Sequence, residues 1–181
     1  MSLDQKTVAG RYAKALIELA QADDQLKQTS QELSSLRDVF KDNPGLLSAL
    51  NGTSLSVGQK KGLISDLKQG ASKYVANLIQ MVFDYGRIND MVAIIDEFEK
   101  QYDALIKRIH AVVVTAVQLD EKRRKEMSEA LAKRFDAKEV VLDEKVDPSI
   151  IGGAIVHVGG QTLDGSVNTK LQEMRRLLVN N

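Results

Sequence analysis

The stretch IIGGAIVHVGGQTLDGSVNTKLQEMRRLL, residues 150–178, decides the fold of the C-terminal part of the chain. Residues 154–158 are apolar and rich in β-branched side chains, which predicts a strand, and residues 161–163 predict a short strand after a Gly-Gly turn. Apolar residues then recur at helical spacing, which predicts a last helix capped by Asp164 or Ser166.

The five glycines of this stretch raise the question of a phosphate-binding loop. Such a loop needs a lysine and a hydroxyl residue directly after its last glycine, whereas Gly165 is followed by serine and valine. The spacing of a dinucleotide fingerprint is also missing. We therefore expect structural roles: Gly152 and Gly153 allow a bulge or a close backbone approach, and the Gly159–Gly160 pair allows positive φ in a hairpin turn.

Upstream of this stretch, the pattern predicts the rest of a small α+β domain. Residues 109–117 are rich in β-branched side chains, and residues 139–146 alternate, so both predict strands. Between them, Asp120 is expected to cap a helix that carries Met127 and Leu131. The predicted C-terminal α+β domain comprises residues 109–181.

The N-terminal part, residues 1–108, predicts a six-helix bundle, so the chain is expected to be mainly α with a small α+β tail. Capping boxes are predicted at Ser2 and at Ser56, each with a glutamine three residues later. The sequence DNPG at 42–45 is expected to end the second helix, and Gly86 to end the fifth. A long sixth helix is predicted to include Ile88.

Composition argues against several classes of function. The net charge is zero, which disfavours a dedicated nucleic-acid binder, and the absence of cysteine excludes disulfides and thiolate metal sites. His157, Asp164 and Ser166 lack the context of a catalytic triad, since no nucleophile elbow surrounds the serine. We expect no catalytic residue, no cofactor and no metal, and no run of about 18 apolar residues predicts a membrane span.

One basic run, KRRK at 122–125, keeps a nucleic-acid-binding module open as an alternative function. Glu121, Glu126 and Glu129 surround it at helical spacing, which favours ion pairs within a solvated helix. The first helix carries more information, because it is apolar over most of its circumference. Its alanines suit either a buried core helix or a face that receives a partner helix, and the pattern gives these two interpretations equal weight.

Several stretches together resemble one protein family. They are VAGRYAKALIELA at 8–20, NPGLLSAL at 43–50, YGRINDM at 85–91 and, most specifically, residues 146–178, which include the opening stretch. In this order they resemble the delta subunit of bacterial F-type ATP synthases, which is related to the mitochondrial oligomycin-sensitivity-conferring protein.

The resemblance implies a non-catalytic stator subunit that resists rotor torque in proton-driven ATP synthesis. It implies that residues 1–108 bind N-terminal segments of the alpha subunits and that residues 109–181 bind the b subunits of the peripheral stalk. It also implies a peripheral location at the cytoplasmic face of the plasma (inner) membrane, without contact to nucleic acid. The missing transit peptide favours a bacterial protein, and a helical scaffold of another complex is the closest alternative.

The resemblance and the wide apolar faces of the first and fifth helices together suggest an alpha-binding groove between these two helices. The expected groove residues are Tyr12, Ala15, Leu16, Leu78, Ile79, Val82 and Phe83. On the side of the b subunit, the residues expected to bind the partner or to shape the backbone are Gly152, Gly153, Asp164, Gly165 and Ser166. Which apolar residues form the core and which form the groove stays open at this point.

Overall fold

The computed structural model describes residues 4–179 of the 181-residue chain. The chain separates into two compact units, with the division between Tyr102 and Asp103. The first unit is helical and the second contains a four-stranded sheet. The chain is therefore mainly α with a small α+β tail, as the sequence predicts.

The first unit is built from helices joined by short connections, and the last turn of the sixth helix lies beyond the division at Tyr102. Their bounds are α1 Gln5–Ala22, α2 Leu26–Asp42, α3 Pro44–Asn51, α4 Val57–Lys68, α5 Lys73–Asp84 and α6 Met91–Ile106. The capping box at Ser56 is present, because the Gln59 backbone N–H donates to Ser56 Oγ over 3.3 Å and the Ser56 N–H donates to Gln59 Oε1 over 2.9 Å. The predicted cap at Ser2 lies outside the described residues.

One helix boundary differs from the prediction. Ile88 lies in a short 3-10 turn, Ile88–Asp90, and not in the long sixth helix, which begins at Met91. The cause is Gly86, whose φ of +64° ends α5 and turns the chain, so that a tight turn must precede the next helix. Ile88 is nevertheless buried, so its apolar character is explained by packing.

The core of the first unit is aliphatic apart from a few aromatic rings. Its fully buried large side chains include Leu33, Ile79, Val82, Ile94, Ile95 and Phe98. On α1, Ala13 and Ala20 are 0% exposed, and their small side chains allow neighbouring helices to approach closely. The Arg37 guanidinium links α2 to α6 by ion pairs with Asp96 and Glu99.

The second unit contains a mixed sheet with the strand order β2-β1-β3-β4. The strands are β1 Arg108–Thr115, β2 Glu139–Val146, β3 Ala154–Val158 and β4 Gln161–Asp164, and the helices are α7 Glu121–Phe135 and α8 Val167–Val179. β1 and β2 are parallel, with α7 as the crossover, whereas β3 pairs antiparallel with both β1 and β4. These elements confirm the predicted strands and helices of the tail.

Helix α7 covers one face of this sheet. The core between them consists of Leu131 from α7 and of Ala111, Val113, Val156 and Val158 from the strands, where buried positions alternate with less buried ones. Asp120 caps α7, since its carboxylate accepts the Arg123 N–H over 2.7 Å. Gly159 and Gly160, with φ of +54° and +77°, form the two-residue turn between β3 and β4.

Candidate partner-binding surfaces

A narrow apolar cleft lies between α1 and α5. Its floor includes Leu16 and Leu78, each 5% exposed, and its rim includes Leu19 and Met81, which are 57% and 45% exposed. The remaining lining residues are Tyr12, Ala15, Tyr74 and Asn77. The volume of about 100 Å³ is well below the roughly 300–1,000 Å³ of small-molecule sites. The cleft therefore suits apolar side chains of a protein partner better than a cofactor.

Polar contacts hold Tyr74 in place at this cleft. Its hydroxyl donates to the Asp23 carboxylate, and Lys73 Nζ lies 3.1 Å from Asp23 Oδ2 and 4.9 Å from the centre of the Tyr74 ring. The Tyr74 hydrogen bond and the Lys73 charge lower the pKa of Asp23, and Asp23 in turn raises the pKa of Lys73. The apolar floor of the cleft is thus bordered by the hydrogen-bonded group of Tyr74, Asp23 and Lys73.

The expected groove residues divide into two sets. Tyr12, Ala15, Leu16 and Leu78 line the cleft. Ile79 and Val82 are 0% exposed and belong to the core, and Phe83 is partly buried outside the cleft.

The sequence reasoning missed four lining residues, Leu19, Tyr74, Asn77 and Met81, as members of the groove. Helical spacing carried a signal for three of them. Leu19 follows Ala15 by four positions, and Tyr74 and Met81 flank Leu78 at four and three positions. These three residues follow from the helical spacing around Ala15 and Leu78, whereas a choice by apolar character alone favours residues of the core.

In the tail, the predicted glycine segment forms the junction of β3, β4 and α8. Gly153 has a φ of +77°, and a Cβ on it would lie 2.3 Å from the Gly165 carbonyl oxygen. The Gly165 N–H donates to the Ala154 carbonyl oxygen, and the Val167 N–H donates to that of Gly152, each over 2.9 Å. The backbones therefore touch directly, which accounts for glycine at these positions.

Asp164 and Ser166 form the N-terminal cap of α8. Asp164 Oδ1 accepts the Ser166 N–H, and its Oδ2 accepts the Thr169 hydroxyl, both over 2.8 Å. Ser166 Oγ accepts the Thr169 N–H over 3.2 Å. The bonds that the Asp164 carboxylate accepts, led by that from the Ser166 backbone and followed by that from the Thr169 hydroxyl, lower the pKa of Asp164. The five expected tail residues thus lie together, and their contacts order the start of α8.

A wider hollow of about 650 Å³ was not predicted as a site, although Gly152 and Gly153, two of the expected tail residues, line it. It lies between the end of β1, the first half of α7 and residues 151–154, and its rim carries Val117 and Ile151, each 61% exposed. Ile151 has a φ of +68°, which β-branched residues rarely adopt, and the Gly152 N–H donates to the Ile150 carbonyl oxygen across it. The strained turn holds an apolar side chain at the rim.

The basic run on α7 is neutralised by neighbouring carboxylates. Lys122 pairs with Glu126, Lys125 with Glu129, Arg123 with Asp120, and Arg124 with both Glu121 and Glu144. The intrahelical pairs predicted from the spacing are present. Because each cation of the run already faces a carboxylate, the run offers little net charge to phosphates.

The described residues offer no arrangement typical of catalysis or metal binding. Ser166 is 1% exposed and acts as a cap, while His157 Nδ1 lies 2.9 Å from Thr162 Oγ1. Within residues 4–179, no group of three or more histidine or acidic residues could hold a metal ion. In the same range, no helix combines the length and the apolarity needed to cross a membrane.

Comparison with known proteins gives concordant results along the chain. The family model of the ATP synthase delta (OSCP) subunit matches residues 8–178. ATP synthase subunit delta of Limosilactobacillus reuteri is 64% identical over 179 residues, which cover 99% of both chains. That of Lactiplantibacillus plantarum is 48% identical over 181 residues, which cover 100% of both chains.

A solved structure supports the fold independently. A chain of the Toxoplasma gondii mitochondrial ATP synthase hexamer superimposes with a TM-score of 0.69 at 23% identity, over 94% of this chain and 97% of that chain. The similarity extends over the helical unit and the sheet alike, because so little of either chain is left out. With the family model matching from α1 into α8 and full-length relatives at up to 64% identity, the chain belongs to the ATP synthase delta (OSCP) subunit family.

Proposed function

We propose that the chain is a non-catalytic stator subunit of an F-type ATP synthase, which links the catalytic head to the peripheral stalk. In this role it resists rotor torque during proton-driven ATP synthesis. A stator needs long-lived contacts and no turnover. The observation that carries the proposal is the apolar cleft between α1 and α5 in a chain whose family match spans residues 8–178.

The helices of residues 1–108, acting as a six-helix bundle, bind the N-terminal segments of alpha subunits. The partner presents an amphipathic helix whose apolar side chains enter the cleft and contact Ala15, Leu16 and Leu78. Ile79 and Val82 belong to the core on the other side of α5, and Phe83 lies outside the cleft. The exposed Leu19 and Met81 of the rim become covered on binding, which supplies much of the affinity.

Residues 109–181 bind the b subunits of the peripheral stalk. The cap of α8 and the backbone contacts of Gly152, Gly153 and Gly165 order the junction of β3, β4 and α8, which supports a contact that has to withstand torque. The complex lies at the cytoplasmic face of the plasma membrane, and the chain is held there through its partners.

Calorimetry of the full chain with an N-terminal peptide of the cognate alpha subunit tests the proposal. We expect one-to-one binding, and a nanomolar dissociation constant would correspond to about 12 kcal/mol. A parallel titration with the soluble part of the b subunit tests the other contact. A correctly folded chain that binds neither partner would contradict the stator role, whereas salt-sensitive binding to DNA would favour the nucleic-acid alternative.

A further inference from the structure

The two edge strands of the sheet differ in length and in regularity. β4, at one edge, has four residues, whereas β2, at the other edge, has eight. β2 pairs with β1 in an unbroken parallel register, so no bulge interrupts it, and it contains neither glycine nor proline. Proteins commonly protect an edge strand by short length, bulges or proline, because its free backbone groups can pair with another chain. β2 has none of these three protections.

One side of the β2 backbone has no partner strand within residues 4–179. The N–H groups of Glu139 and Asp147 donate towards β1, to the carbonyl oxygens of Lys107 and Thr115. Because the backbone groups alternate in direction along a strand, those of the even-numbered residues in between point away from β1. We call this outward row the β2 edge, and its residues are Val140, Leu142, Glu144 and Val146.

A hollow of about 640 Å³ lies between α7 and β2, beside the β2 edge. Val140 and Leu142 form its floor, and α7 lines it with residues between Glu121 and Glu129. Of the four strands described, only β2 contributes to its lining, so the hollow lies at the outer side of the sheet. A fifth strand would run about 4.7–4.9 Å from β2, and every second side chain of that strand would enter this hollow.

The other face of β2 carries two charges that no neighbour neutralises. Asp143 and Lys145 are exposed, and within the described residues neither side chain forms an ion pair or a hydrogen bond. The Glu144 carboxylate, on the α7 face, is already paired with Arg124. The two free charges disfavour an unmatched strand and favour one that places a basic residue opposite Asp143 and an acidic residue opposite Lys145.

We propose that the β2 edge accepts an extended segment of a partner protein as an antiparallel fifth strand. The segment has apolar residues opposite Val140 and Leu142, a basic residue opposite Asp143 and an acidic residue opposite Lys145. Backbone hydrogen bonds supply the affinity, and the alternating side chains supply the selectivity. Antiparallel pairing is favoured because it is slightly more stable per residue than parallel pairing. The inference goes beyond the proposed function, since it requires neither the alpha-subunit contact nor the b-subunit contact.

A second copy of the chain fits the β2 edge less well. Two copies of β2 paired antiparallel about Asp143 or about Glu144 set identical carboxylates directly against each other, which destabilises a sheet. Paired about Leu142, they place the Glu144 carboxylate opposite the apolar Val140 of the other copy. A partner segment with the stated pattern meets neither conflict.

The test uses the full chain and the designed peptide Thr-Glu-Thr-Lys-Val-Thr-Val-Lys, which in antiparallel order lies opposite residues 146 to 139. A second peptide exchanges the glutamate with the first lysine, so that like charges meet at Asp143 and Lys145. In an NMR titration we expect the first peptide to bind about fivefold more tightly and to shift the amide signals of Val140, Leu142 and Glu144. Equal affinities, or no shift at these amides, would overturn the proposal.

Methylation of single peptide amides distinguishes backbone pairing from side-chain contacts. The peptide valine opposite Leu142 directs its N–H to the β2 edge, whereas the lysine opposite Asp143 directs its N–H away from it. We expect N-methylation of this valine to weaken binding about fivefold or more, and N-methylation of this lysine to change it less than about twofold. Equal losses would show that the peptide does not bind as a strand, and the proposal would fail.

Two exposed carboxylates provide a matched control. Asp143→Lys and Glu173→Lys make the same charge change, but Glu173 lies on α8 and not on β2. We expect Asp143→Lys to weaken binding of the first peptide about threefold or more and to strengthen that of the second, and Glu173→Lys to change either less than about twofold. If both variants weaken the first peptide equally, net charge governs binding and the proposal fails.

Analytical ultracentrifugation of the chain alone tests the second copy as occupant. We expect a monomer whose sedimentation the first peptide leaves unchanged. A dimer that the first peptide dissociates would assign the β2 edge to self-association and overturn the proposal.

Discussion

Two glycines of the tail share one backbone conformation and differ in their surroundings. Gly153 and Gly160 both have a φ of +77°. A Cβ on Gly153 would lie 2.3 Å from the Gly165 carbonyl oxygen, whereas no atom lies within 4 Å of a Cβ on Gly160. Substitution of each glycine by alanine therefore separates two contributions to the free energy of unfolding, namely the cost of positive φ and the cost of a backbone collision.

We expect Gly160→Ala to lower the free energy of unfolding of the tail by about 1 kcal/mol, which is the cost of positive φ alone. Gly153→Ala carries the same cost and must also move the backbone at Gly165, so a loss of about 3 kcal/mol or more is expected. Hydrogen exchange of the β3 amides over a urea series measures the loss of unfolding free energy in each variant. Equal losses in the two variants would show that the close approach has no energetic weight.

Asp164 makes the stability of the tail depend on pH. Its pKa lies below the ordinary value of 3.8 because the Ser166 backbone and the Thr169 hydroxyl donate to its carboxylate. A group with a lowered pKa in the folded state stabilises that state at higher pH, and this contribution is lost as pH falls below 3.8.

We expect Asp164→Asn to destabilise the tail near neutral pH and to differ less from the wild type as pH falls below 3.8. The difference is measured by urea unfolding of both proteins over a pH series. Asp136 and Asp147 also have lowered pKa values, but they are present in both proteins and cancel in the difference. A difference that is independent of pH would contradict the role of the carboxylate charge.

At the scale of elements, the cleft depends on the outward faces of α1 and α5. Ala15 lies on α1 at the cleft and is exposed, so a larger side chain there fills the cleft without disturbing the core. Gln21 lies on the same helix, is exposed and does not line the cleft.

We expect Ala15→Glu to weaken binding of the alpha N-terminal peptide by about tenfold or more, because a carboxylate would be buried among apolar side chains. Gln21→Glu adds the same charge outside the cleft and should leave the affinity within about twofold. Calorimetry of the full-length variants measures both, and circular dichroism checks that α1 remains helical. An unchanged affinity in Ala15→Glu would remove this residue from the site.

The elements differ in how far the sequence determines them. The strands of the tail were predictable because β-branched runs and a Gly-Gly turn have few alternative structures. The side of α5 that faces outward was not, since Leu78, Ile79 and Val82 are similar in kind, and only tertiary packing places Ile79 and Val82 inside. The hollow at Ile151 was hidden for another reason, because its positive φ contradicts the preference of a β-branched residue.

At the scale of the whole molecule, the division between Tyr102 and Asp103 places the cleft residues and the five expected tail residues in separate units. Substitutions at distant sites that have no shared interaction partners usually have additive effects on free energy. We expect Gly153→Ala to weaken b binding while alpha-peptide binding stays within about twofold, and Ala15→Glu to do the reverse. Calorimetric titration of each variant with each partner measures the four affinities. A variant that weakens both partners equally would show that the two units are energetically coupled.

The two tyrosines of the cleft make the intrinsic fluorescence of the chain sensitive to their surroundings. The chain contains no tryptophan and four tyrosines, so its ultraviolet emission comes from tyrosine alone. Tyr12 and Tyr74 both line the cleft, while Tyr102 is buried against Phe98 and Tyr85 is exposed elsewhere. We therefore expect occupation of the cleft to change the intrinsic tyrosine fluorescence, so that binding can be followed without any added dye.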